Sequence, residues 1–177
     1  ALPDPSDGET NQDEGKPDLI STLAVRLILD KAGSVDEAIE LLKQYDMHSV
    51  HGAKQHIFIS DATGDSAVAE WRSRQMEDNR FHVELVVTRS HICTNFPLYQ
   101  EMETIPCDRF LIIQKELDGK SEISGKFAMR ILSEVYQYET PTIFTEWSVV
   151  YYQNDFTMDV AIQTDFDTVY HLEPSDF

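Results

Sequence analysis

The chain has 177 residues, with 32 Asp and Glu against 14 Lys and Arg, for a formal net charge of −18. Hydrophobic residues make up 41%, which at this length suits one domain with a real core. The charge argues against nucleic acid as a partner, because displacing phosphate counterions needs clustered Lys and Arg, and it disfavours an anionic membrane surface; no apolar run approaches the ~18 residues of a spanning helix.

Residues 1–17 hold three of the seven prolines, two of the seven glycines and no aromatic residue. They predict a mobile or extended acidic lead-in, with residues 18–177 belonging to one α+β domain. The opening Ala-Leu-Pro-Asp-Pro-Ser-Asp-Gly carries neither the basic nor the apolar region of a signal peptide. A first residue other than Met fits a cleaved or trimmed chain.

Order is expected from Asp18, read as an N-cap, with Ile20, Leu23, Ala24, Leu27 and Ile28 forming one helical stripe. Gly33 ends that helix. Ser34 and Glu37 have the spacing of a capping box, and Val35, Ala38, Ile39, Leu42 and Tyr45 make a second stripe. The spacing predicts a helical hairpin over 18–45.

The period then changes to two. Residues 55–60 and 66–72 flank Asp61-Ala62-Thr63-Gly64-Asp65, a hairpin pattern. Phe81, Val83, Leu85 and Val87 alternate with His82, Glu84 and Val86, and a further strand is expected over 90–94. Helices are predicted over 108–117 and 122–136, the second carrying Ala128, Ile131, Leu132 and Val135 on one face. Strands return at 143–152 and 156–164 around Gln153-Asn154-Asp155, with an edge strand over 168–172. Helix pair, strand block, helix pair, strand block describes an α+β fold with antiparallel pairing, in which helix pairs cover layered sheets.

Few side chains carry an obvious chemistry. Asp46, His48, His51, His56 and Asp61 lie close together in sequence, but their spacing matches no standard zinc pattern, and solvated loop histidines are the expected reading. No metal and no cofactor is assigned. His91 and Cys93, two apart on the expected strand, would face the same way, which makes a thiol with an imidazole base geometrically conceivable. A small buried Cys beside an unrelated His is the preferred reading. Cys107 follows Pro106 with no evident base and reads as an unreactive thiol. Trp71 and Trp147 are assigned to the core. Two cysteines make no disulfide framework, and there is no phosphate loop, G-x-S-x-G or H-E-x-x-H.

Several stretches taken together say more. Gly15-Lys16-Pro17-Asp18, Thr22-Leu23-Ala24-Val25-Arg26-Leu27 and Ser34-Val35-Asp36-Glu37-Ala38-Ile39 resemble the choloylglycine hydrolase family. So do His56-Ile57-Phe58-Ile59-Ser60-Asp61-Ala62, Cys93-Thr94-Asn95-Phe96 and Thr145-Glu146-Trp147-Ser148-Val149-Val150. The match runs in the family's order from about residue 15 to about residue 165. These are linear-amide C–N hydrolases, among them bile salt hydrolases and penicillin V acylases, with acid ceramidase as a more distant relative.

The resemblance implies an N-terminal-nucleophile hydrolase with an αββα sandwich of antiparallel sheets, incomplete in this chain. In that family an N-terminal Cys is the nucleophile and its own α-amine the general base. This chain begins with Ala1, so the resemblance places the Cys on an N-terminal segment that would be this chain's partner, together with the Arg and Asp that usually follow it. Two family positions carry over. Asn95 matches the Asn whose side-chain amide helps form the oxyanion hole, and Arg109, in Asp108-Arg109-Phe110, matches the later active-site Arg. The segment between them is short, as in the ceramidase-like branch, which argues against a bile-salt substrate. The expected substrate is a small acyl amide of N-acyl amino acid, fatty amide, bile-salt or penicillin type. An acyltransferase using the same thioester and a non-catalytic acidic binding domain are the alternatives. The family suggests a bacterial cytoplasmic protein, and a homo-oligomer is left open.

Overall fold

A computed structural model describes residues 11–49, 55–79, 81–100 and 105–177. These fall into two compact units, one ending at Cys107 and the other running from Asp108 to Phe177. Ten strands and four helices are formed among the described residues, and no helix among them is long and apolar enough to cross a membrane.

The first unit opens with a short strand, β1 (Asp18–Ile20), parallel to β2 (Asp46–His48). Asp18 is therefore a strand residue and not the expected N-cap. Helix α1 (Ser21–Lys31) follows directly, and its N-cap Ile20 makes no side-chain capping bond. Its buried residues are Ser21, Ala24 and Ile28, with Leu27 packed beside them, while Ile20 and Leu23 of the expected stripe are exposed. Helix α2 (Val35–Leu42) buries Val35, Ala38, Ile39 and Leu42. Ser34 Oγ accepts from the Glu37 amide at 3.2 Å, but the Glu37 carboxylate reaches back to the Gly33 amide, one residue before the N-cap. Asp36 and Glu37 in the first turn complement the helix dipole.

The expected hairpin is formed by β3 (His56–Ser60) and β4 (Ser66–Gln75), and β5 (Phe81–Arg89) pairs antiparallel along β4. Gly64, at φ +88°, takes the left-handed position in the tight turn. Alternation gives this sheet two faces. Ile57, Ile59, Ala67, Ala69, Trp71, Val83, Leu85 and Val87 pack with α1 and α2 in the apolar core. His56, Ser66, Val68, Glu70 and Arg72 lie on the opposite face.

Part of the expected lead-in is bonded to the first unit. Residues 1–10 lie outside the described residues, but Gln12 is 4% exposed. Its Oε1 accepts from the Trp71 indole at 2.9 Å and from the Met47 amide at 3.0 Å. Buried Asp46 accepts from the amides of Glu14 and Lys16 at 2.8 and 3.0 Å. Polar anchoring thus does what apolar burial could not.

The second unit holds α3 (Asp108–Leu117) and α4 (Gly125–Val135), then a small hairpin of β6 (Tyr138–Thr140) and β7 (Ile143–Phe144). Helix α4 starts three residues later than expected, because Ser124 caps it by accepting from the Phe127 amide at 3.2 Å. A close approach follows: a Cβ on Gly125 would lie 2.6 Å from Tyr152 Cζ. A three-stranded antiparallel sheet completes the unit, with β9 (Thr157–Ile162) between β8 (Trp147–Tyr152) and β10 (Asp165–Leu172). The single strand expected over 143–152 is thus two, separated at Thr145 and Glu146. Trp147 is 62% exposed and faces Ile162, itself exposed, so it is not the core residue expected.

Candidate functional site

The segment after β5 is not the strand expected over 90–94 but a loop. A strand there would need a neighbour, and the loop instead bonds side chain by side chain to the non-core face of the β3–β4 hairpin. Ser66 Oγ donates to the Ser90 carbonyl at 2.8 Å and lies 2.7 Å from His91 Nδ1. Cys93 Sγ sits 3.4 Å from His56 Nε2. The Leu98 and Tyr99 amides donate to the Glu70 carboxylate at 3.0 and 3.1 Å. The Arg72 guanidinium lies over the Tyr99 ring at 5.9 Å and binds Glu84 on β5 at 2.8 Å.

Glu70 is central to this arrangement. It is 1% exposed, and a buried carboxylate needs partners for its lone pairs. Besides the two loop amides, its Oε1 lies 3.4 Å from His56 Nδ1, directly across the hairpin. His56 therefore has Glu70 on one ring nitrogen and Cys93 on the other. The Cys93 bond first, and the Glu70 bond second, push its pKa up from 6.5 to about 9 against the opposing effect of burial.

The Asp and His residues clustered between 46 and 61 make separate contacts. Asp46 anchors the lead-in. His48 lies 3.2 Å from Asn11 Oδ1 and 3.0 Å from Asp18 Oδ1, while Asp61 caps α2 by accepting from the Val35 amide at 2.9 Å. His51 lies outside the described residues. His48 and His56 are half-buried strand residues with bonding partners, not the solvated loop histidines expected. His91 and Cys93 do not pair with each other, in keeping with the preferred reading; His91 meets Ser66 and Cys93 meets His56.

Asn95 is exposed on the anchored loop, two residues beyond Cys93. Next to it, Thr94 is buried, and its hydroxyl has no partner among the described residues. Arg109 is half-buried at the second position of α3, in the other unit. Glu70 was missed by sequence reasoning, and so was the link from His56 to Cys93. A signal existed: pairing Ser60 with Ser66 across the five-residue turn sets His56 opposite Glu70.

The family model described as acyl-coenzyme A:6-aminopenicillanic acid acyl-transferase matches residues 12–148. Among solved structures, a mutant of the conjugated bile acid hydrolase from Clostridium perfringens is similar over 99% of this chain and 68% of its own, with TM-score 0.61 and 16% identity. A second variant of that hydrolase is similar over 99% of this chain and 69% of its own, with TM-score 0.63 and 14% identity. No curated protein matches in sequence. The likeness to these structures shows the fold, an α+β architecture of antiparallel sheets and helices.

Proposed function

The chain belongs to the acyl-coenzyme A:6-aminopenicillanic acid acyl-transferase family, a choloylglycine-hydrolase-like group, and on that premise we propose that it is part of an enzyme that cleaves a linear amide through a Cys thioester. The nucleophilic Cys is carried on an N-terminal segment that packs with this chain. Its thiol attacks the amide carbonyl, the amine leaves, and water hydrolyses the thioester. The α-amine of that Cys, with an ordinary pKa of about 7.7–8.0, is suited to serve as base near neutral pH. Asn95 donates its side-chain amide to the oxyanion, stabilising developing charge without offering a competing proton. Arg109 supplies fixed positive charge near the nucleophile and steers an anionic part of the substrate.

The observation that carries this reading is the Cys93-Thr94-Asn95-Phe96 motif inside the matched region, on a loop tied down at several points by buried or half-buried groups. An oxyanion donor must be held in place before the charge develops, and the anchoring does that. In the enzyme with its N-terminal segment, Asn95→Ala lowers kcat roughly 10²–10³-fold. Unchanged function in both Asn95→Ala and Arg109→Ala would favour the non-catalytic binding domain instead. An intact mass spectrum of the natively purified protein under denaturing conditions tests the segment: the reading expects a second chain beginning with Cys.

The description of the matched family favours a second reading, in which an amine rather than water takes the acyl group. Product analysis with an added amine acceptor separates acyltransferase from hydrolase.

A further inference from the structure

We propose that Cys93, His56 and Glu70 form a nucleophilic thiol site at which small peroxides oxidise Cys93 to a sulfenic acid. The inference is independent of any role for Asn95. Three elements converge on it: Glu70 from β4, His56 from β3 and Cys93 from the loop after β5. Glu70, buried and tied to the Leu98 and Tyr99 amides, cannot turn away from Nδ1. It orients the ring so that Nε2 meets the sulfur, the geometry in which an imidazole takes a thiol proton and stays beside the thiolate. Arg72, the next charged group on that face of β4, is paired with Glu84 and leaves the pair undisturbed. The raised pKa of His56 keeps the imidazolium protonated at neutral pH. Cys93 is half-buried rather than sealed in the core.

The chemistry closes on these groups. The Cys93 thiolate attacks one peroxide oxygen, the S–O bond forms, and the O–O bond breaks. Sulfur loses two electrons and the peroxide gains them. The departing hydroxide takes the Nε2 proton of His56 and leaves as water. Hydroxide is a poor leaving group, so a proton held at the sulfur is what this step requires. Cys107, half-buried in the same chain, is the internal control.

The test uses the full chain and reads each cysteine by peptide mass. Brief exposure to hydrogen peroxide with dimedone present should label Cys93 at least tenfold more than Cys107. In His56→Gln, Cys93 should lose that preference. If this variant does not fold, the wild-type labelling ratio alone decides. Equal labelling of the two cysteines in the wild type, or a preference that survives in folded His56→Gln, would overturn the proposal.

Discussion

His56 shows how one side chain acquires unusual properties from ordinary neighbours. Its two ring nitrogens face groups contributed 14 and 37 positions away, and the bond to Cys93 raises its pKa more than the bond to Glu70. An imidazole with its pKa raised to about 9 stays charged well above the ordinary 6.5 and becomes neutral only as pH rises through the higher value. In an NMR titration the His56 ring resonances should therefore move near pH 9, and in Cys93→Ser the midpoint should fall toward 6.5; a wild-type midpoint near 6.5 would contradict the geometry. A sequence motif singles out Asn95, and its role is a proposal. The constellation behind it was not legible, because spacing along the chain made His91 the one conceivable base for Cys93 and left His56 unconsidered. The partner of Cys93 is His56 on β3, which the loop reaches by folding back over the sheet, a contact that spacing along the chain does not announce.

Among the elements, the sheet of the second unit has its own cross-strand rung. Asp159 on β9 accepts from the Tyr152 hydroxyl on β8 at 2.6 Å and lies 2.7 Å from His171 Nδ1 on β10. Tyr152 first, then His171, lowers the Asp159 pKa, and Asp159 in turn raises that of His171. The signs set a window. A raised His stabilises fully below its ordinary 6.5 and loses that contribution as pH climbs through its folded value. A lowered Asp stabilises above its ordinary 3.8 and loses that as pH drops through its folded value. Hydrogen-exchange protection of β10 should thus be greatest between about pH 4 and 6.5, fall on either side, and flatten in Asp159→Asn. Most elements were legible from periodicity and capping residues: α2, the β3–β4 hairpin, β5 and α3 lie where the pattern puts them. Failures fell where local pattern had no tertiary term. Residues 90–94 look β-forming but bond through side chains, and the β9–β10 turn uses Gln163 and Thr164 at positive φ, without the glycine that usually announces such a turn.

At the scale of the whole chain, a net charge of −18 means that self-repulsion opposes the compact state. Raising ionic strength from 0.01 to 0.1 M shortens the screening length from about 30 to about 10 Å. The melting temperature should therefore rise with sodium chloride, by roughly 2–4 °C for each kcal/mol of repulsion relieved at this length. A flat or falling profile would show that ion pairs such as Arg89 with Asp65 and Asp36 outweigh the repulsion. The two-faced β3–β4 hairpin has a further consequence, for the order of events during folding. Its strands close over a five-residue turn, with register partners 6 to 14 positions apart, before the loop after β5 is reached. The loop at 90–100 can bind only a finished template, because His56 and Glu70 share a face only once that register is set. Cys93, Leu98 and Tyr99 should therefore be latecomers: they seat after the core has formed, and they are the first to lift when the protein breathes.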